Sequence, residues 1–136
     1  MLKLSLIIPA YNEESRIDKT LQNYHYHLQK YLPRMFEIIV VLNGCKDKSL
    51  SIVKAFAKKH KEVRYIDIPE AIGKGGAVLH GFQMARGSII GFLDADDAFD
   101  LTAVQAMINS LLQGEIDCFI ASKWKGVPFS AVNEPF

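Results

Sequence analysis

Asp94, Asp96 and Asp97 place three carboxylates within four positions, directly after the apolar run Ile89-Ile90-Gly91-Phe92-Leu93. Negative charge at the mouth of a buried strand costs free energy unless water or a cation meets it. If extended geometry continues for two residues past Leu93, the period of two sets Asp94 and Asp96 on one side, where their charges repel. A divalent cation relieves that repulsion. Hard carboxylate oxygens suit Mg²⁺ or Mn²⁺, which take one or two carboxylates and fill their remaining positions with water and substrate phosphate. Two readings stand side by side: a metal-diphosphate site built on Asp94 and Asp96, or a solvated acidic turn in which Asp97 caps the next helix.

Other residues offer complementary chemistry. Tyr11, Asn43 and Asp67 each follow or close an apolar run. Together they supply an aromatic face and directional hydrogen bonds, enough to hold a nucleobase and ribose; singly, each also reads as a turn, packing or surface residue. Gly73-Lys74-Gly75-Gly76 lets backbone approach a phosphate while Lys74 brings a point charge, or it is a plain flexible turn. It has neither Walker A nor GxGxxG spacing. His25, His27, His60 and His80 lack metal-ligand spacing and read as surface or packing residues. No Ser/His/Asp or Cys/His constellation is present. Cys45 and Cys118 read as reduced thiols of a cytoplasmic protein, with no catalytic role.

The elements that must carry these residues alternate along the chain. Apolar runs at 2–8, 36–42, 63–68, 89–93 and 116–122 predict five strands. Between them, helical spacing predicts helices over 16–32, 46–60, 77–85 and 101–112, the third ending on Gly87 as a C′ glycine and the fourth on Gly114. Pro9, Pro33, Asn43-Gly44 and Pro69 punctuate the pattern. Such alternation implies an α/β fold, a mainly parallel sheet in three layers with helices on both faces. Ligands of such sheets bind beyond the carboxyl ends of the strands, where strand order reverses. Tyr11 to Glu14, Asn43 to Asp47, Asp67 and Asp94 to Asp97 should therefore share one rim.

At 136 residues the chain is one domain's worth. It is 49% apolar and 23% charged with a formal net charge of +1, so no global field recruits nucleic acid. No apolar stretch is long enough to span a bilayer, and the N-terminal run is too short for a signal peptide.

Four segments, in order, carry a family resemblance. They are Ile7-Ile8-Pro9-Ala10-Tyr11-Asn12-Glu13-Glu14, Glu37 to Asp47, Gly73-Lys74-Gly75-Gly76-Ala77 with Gly81, Ala85 and Gly87, and Asp94-Ala95-Asp96-Asp97. They resemble family 2 glycosyltransferases of the GT-A, Rossmann-like fold, most of all the dolichyl- or polyprenyl-phosphate sugar synthases. The resemblance runs from Leu4 to about Lys125. It implies an inverting transferase using a UDP- or GDP-linked sugar, Mg²⁺ or Mn²⁺, and a sugar or lipid-phosphate acceptor. By position it assigns Pro9, Ala10, Tyr11 and Glu13 to base and ribose, Asn43 to the base edge, Lys74 to the phosphates, and Asp94, Ala95 and Asp96 to ribose and metal.

Two departures accompany the resemblance. Leu42-Asn43-Gly44-Cys45 stands where many members carry an Asp-Asp-Gly-Ser turn, which changes the base edge from a carboxylate to an amide. Members also continue past the point where this sequence stops, and their general base lies in that part; Glu134 qualifies here only by elimination. The expectation is an incomplete donor domain over 1–125, truncated at its C-terminal side, and a flexible tail over 126–136. An exposed sheet edge near the fourth strand could pair with a second copy, and the resemblance allows peripheral contact with the cytoplasmic face of a membrane. The alternatives are a sugar-1-phosphate nucleotidyltransferase, disfavoured by the absence of a long glycine- and arginine-bearing loop after the first strand, and a non-catalytic nucleotide-binding or assembly module.

Overall fold

A computed structural model of the chain describes residues 1–96 and 100–120. Its elements alternate as β1 (Leu4–Ala10), α1 (Ile17–Tyr31), β2 (Phe36–Asn43), α2 (Ser49–Lys59), β3 (Val63–Ile68), α3 (Gly73–Met84), β4 (Ile89–Phe92) and α4 (Leu101–Leu112). The strands form a parallel sheet in the order β3-β2-β1-β4. The chain thus steps outward from β1 to β3 and then crosses back to the other side of β1. This reversal opens a crevice between β1 and β4 at the carboxyl end of the sheet.

The side-chain alternation of the strands sorts the core onto two faces. Leu4, Leu6 and Ile8 of β1 join Ile38, Val40 and Leu42 of β2 against α1, α2 and α4. On the opposite face, Ile7, Ile39 and Val41 pack against Ala77 of α3. α1 contributes Ile17, Leu21, Tyr24 and Leu28, all buried and spaced to make one helical stripe. Each fully buried aliphatic side chain of this kind is worth about 2 kcal/mol. α3 lies close to the sheet because Gly81 has no side chain there: a Cβ would come within 2.4 Å of Ile7 Cγ2.

A buried charge ties the strands together away from the crevice. Glu37 is 2% exposed. It accepts the Ser5 hydroxyl at 2.7 Å, the Arg86 N–H at 2.8 Å and the Arg64 and Arg86 guanidinium groups at 3.0 Å. Burial raises the Glu37 carboxyl, but the Ser5 and Arg86 hydrogen bonds and the Arg64 charge outweigh it and hold the group below its ordinary range. One carboxylate thereby links β1, β2, β3 and the entry to β4.

Four expectations change. Helix α3 begins at Gly73 rather than Ala77, so the glycine-lysine segment is its first turn and not a loop before it. Gly87 is not a left-handed C′ residue. It is glycine because a Cβ would stand 2.6 Å from the Leu4 carbonyl carbon, where β4 enters the sheet. The fifth strand does not form over residues 116–120, which have no regular structure, with Ile120 85% exposed. Strand propensity needs a ladder partner, and those residues pair with no described strand; residues 121 and 122 lie outside the described range, as do the 126–136 tail, Glu134 and Asp97. The outer edge of β4 carries no strand among the described residues, and Ile90 and Phe92 beside it are exposed. Helix α2 starts three residues later than expected, because Asp47 takes the Ser49 N–H at 2.9 Å and holds 46–48 in a turn.

Candidate functional site

The crevice at the sheet's carboxyl end holds a cavity of about 430 Å³, within the range of small-ligand sites. Pro9, Ala10, Tyr11 and Glu13 line it from the end of β1, Asn43 from the end of β2, and Lys74 from the first turn of α3. Asp94, Ala95 and Asp96 close it from beyond β4, and Ala71 and Gly73 complete the wall. Every site residue read from the sequence is gathered here except Asp67. That residue is exposed on β3, one strand farther out than Asn43, and does not reach the cavity.

Each wall is fixed by bonds between loops. Asn12 adopts a positive φ of 49° and its side-chain oxygen accepts the Lys46 N–H at 2.8 Å. The Glu13 N–H donates to Ser49 Oγ at 2.9 Å, the Glu14 N–H to Asp47 at 3.1 Å, and the Lys48 N–H to Glu14 at 3.0 Å. The segments after β1 and β2 therefore act as one ledge under Tyr11, a residue 58% exposed at the cavity. Burial raises the Asp47 carboxyl, but hydrogen bonds from Ser49 and Glu14 prevail and keep it below the usual carboxylate range. The Glu13 carboxylate is engaged by Arg16 at 2.8 and 2.9 Å. Residues 46–49 are thus brackets for the ledge.

Asn43 is 5% exposed. Its side-chain oxygen accepts the Ile72 N–H at 2.8 Å, which leaves the NH₂ end of the amide to face a ligand. The neighbouring Gly44 has a φ of +66°, and a Cβ there would meet the Ala71 nitrogen at 2.6 Å. The end of β2 and the start of α3 consequently lie against each other.

The acidic segment is reached differently from the sequence expectation. β4 ends at Phe92 and residues 95 and 96 form a turn, so strand geometry does not carry Asp94 and Asp96 forward. Burial still alternates, with Leu93 and Ala95 inward and Asp94 and Asp96 toward the cavity. Two residues of α1 hold this shape. Thr20 Oγ1 donates to the Ala95 carbonyl at 2.6 Å, and the Tyr24 hydroxyl donates to the Asp94 carbonyl at 3.2 Å. Sequence reasoning placed Tyr24 only in the apolar stripe and overlooked Thr20, whose signal was a polar side chain at a core-facing position of α1. Lys74 Nζ forms an ion pair with Asp94 Oδ1, and lies 6.0 Å from the centre of the Phe92 ring.

Among the described residues no group of three or more His, Cys, Asp or Glu side chains could hold a metal ion. The donor set at the cavity is the carboxylate pair Asp94 and Asp96. That fits Mg²⁺ or Mn²⁺ completed by water and phosphate oxygens, and does not fit an all-protein zinc site.

Residues 5–128 match the profile of Glycosyl transferase family 2. The chain belongs to this family. Among curated relatives, glycosyltransferase AglD of Haloferax volcanii is 30% identical over 97% of the chain, which spans 23% of that protein. The dolichyl-phosphate beta-glucosyltransferase of Drosophila melanogaster is 41% identical over 71% of the chain, which spans 32% of it. Among solved structures, the mannosyltransferase PcManGT of Pyrobaculum calidifontis, in complex with GDP-Man and Mn²⁺, superposes with a TM-score of 0.63 at 30% identity, covering 69% of this chain and 27% of that one. The fold is that of the GT-A glycosyltransferases. This family 2 chain therefore spans about a quarter to a third of the length of these three proteins.

Proposed function

We propose that residues 1–125 form the donor-binding part of an inverting glycosyltransferase, which takes a sugar from a UDP- or GDP-linked donor. The observation that carries this reading is the convergence of Tyr11, Asn43, Lys74, Asp94 and Asp96 on one cavity at the reversal point of a parallel sheet. In this reading the exposed Tyr11 ring offers a stacking face to the base, and the Asn43 amide directs an N–H toward its edge. Asp94 and Asp96 would hold Mg²⁺ or Mn²⁺. When bound, the cation neutralises charge that builds on the departing diphosphate and so favours cleavage of the sugar–phosphate bond. Lys74, at the first turn of α3, adds a positive charge on the phosphate side.

The acceptor in this proposal is a polyprenyl-type lipid phosphate, supported by the dolichyl-phosphate glucosyltransferases among the relatives. A phosphate acceptor is already ionised and needs little help from a general base. No described helix is long and apolar enough to cross a membrane, so this part of the enzyme would meet a lipid acceptor peripherally, at a cytoplasmic membrane face.

Thermal unfolding with UDP, GDP and their glucose and mannose conjugates, each with and without Mn²⁺, tests the donor assignment. Ligand at 100 times its Kd stabilises the folded state by about 2.7 kcal/mol. The proposal expects one nucleotide series to raise Tm by several degrees in a metal-dependent way. An unchanged Tm with every nucleotide, at millimolar ligand and metal, would contradict it.

A further inference from the structure

Lys74 and Asp94 sit on different elements, the first turn of α3 and the segment beyond β4, yet their charged ends meet inside the cavity wall. Asp94 belongs to the carboxylate pair assigned above to the cation. The ammonium group therefore occupies ground that a divalent ion would need. We infer that Lys74 is a built-in counter-cation that competes with the divalent metal for Asp94, an inference that rests on the donor-site reading just given.

The surroundings of Lys74 support a side chain able to take two positions. It is flanked by Gly73 and Gly75, so its neighbours in sequence carry no side chains to confine it. Its side chain is 58% exposed and that of Asp94 40%. An ion pair so open to water is weakly held. The half-exposed Phe92 ring lies under the ammonium and adds a weak attraction on the same side. A dication bound to the Asp94 carboxylate would stand a few ångströms from the ammonium and repel it. Metal and ammonium thus compete for the Asp94 carboxylate, and the diphosphate of a nucleotide offers the displaced ammonium a denser negative charge than one carboxylate. Without nucleotide Lys74 guards the acidic pair; with nucleotide it turns to the phosphates and the metal takes its place. The device lets a protein of near-neutral net charge keep its carboxylates matched in both states.

Mn²⁺ binding, followed by the electron paramagnetic resonance signal of the free ion, separates this inference from the donor-site reading. Titrations would compare wild type, Lys74→Met and Lys74→Arg, each without nucleotide, with UDP and with GDP, after circular dichroism has shown the same fold in all three. Removing the competing charge is expected to tighten Mn²⁺ binding in nucleotide-free Lys74→Met by about tenfold, while Lys74→Arg stays near wild type. Equal Mn²⁺ affinity in nucleotide-free wild type and Lys74→Met would overturn the competition, whatever nucleotide does. The donor-site reading is judged by a separate arm: it fails if neither nucleotide tightens Mn²⁺ binding to wild type.

Discussion

Asn43, the last residue of β2, accepts the Ile72 N–H on its side-chain oxygen at 2.8 Å, so the residue that closes a central strand also sets where α3 begins. The bond is partly buried and spans two segments far apart in sequence. Removing the acceptor in Asn43→Ala leaves that N–H without it and should cost about 2 kcal/mol. The cost would appear as a lower urea midpoint. Faster amide exchange over residues 71–74 should accompany it, because that segment carries Lys74; exchange unchanged there would mean the loop is held by other contacts.

Acid should weaken the fold through Glu37. Its folded-state pKa lies below the ordinary 4.5, so the folded protein releases this proton more readily than the unfolded chain does. The stabilisation is fully present above about 4.5 and is lost as pH falls through the lower folded value. His60, lowered from 6.5 chiefly by burial and by the neighbouring His25 charge, has the same sign and begins to act below 6.5. Urea midpoints measured from pH 7 to pH 3 should therefore decline in two stages. Glu37→Gln should lose about 2 kcal/mol at pH 7 and show a flatter second stage; an identical acid limb in the variant would remove Glu37 from the account.

Two glycines of α3 should respond oppositely to alanine. At Gly81 the new Cβ would stand 2.4 Å from Ile7 Cγ2 and 3.2 Å from Val41 Cγ2. Overpacking at that sheet contact should cost about 1–3 kcal/mol. At Gly75 nothing lies within 4 Å, and alanine should stabilise by about 0.5 kcal/mol by narrowing the unfolded ensemble. Thermal melts of the two variants check the contrast, which fails if both move the same way.

Thr20 supplies the shorter of the two bonds from α1 to the acidic segment, 2.6 Å from Oγ1 to the Ala95 carbonyl. Thr20→Val preserves shape and removes only the donor, so a loss of about 1 kcal/mol is expected. If that bond shapes the site, metal-dependent nucleotide affinity should fall as well. A stable variant with undiminished affinity would reduce Thr20 to a packing residue.

Periodicity and turn residues made most of this fold readable. β1 and β2 are continuous apolar runs because both lie inside the sheet, and Gly44 and Gly114 take the positive φ that their turns require. The convergence of Tyr11, Glu13, Asn43 and Asp94 followed from the rule that parallel sheets bind ligands at their carboxyl ends. Asp67 escaped that rule because β3 lies at the far edge of the sheet, two strands from β1 and the reversal point. The glycine-lysine segment looked like a loop because glycine is a poor helix former, whereas contacts of Ala77 and Gly81 with the sheet carry the helix back to Gly73. The brackets made by Asp47, Ser49 and Thr20 are long-range partnerships between polar side chains and backbone, and no local spacing announces them.

Asp96 bears most directly on the account's central claim. Calorimetric titration of UDP-glucose and GDP-mannose into wild type and Asp96→Ala, with and without Mn²⁺, isolates it. The account predicts that one donor binds wild type only when metal is present, and that this binding is lost in an Asp96→Ala protein that melts normally. Equal binding by the folded variant, or binding indifferent to Mn²⁺, would contradict a metal-diphosphate site at Asp94 and Asp96.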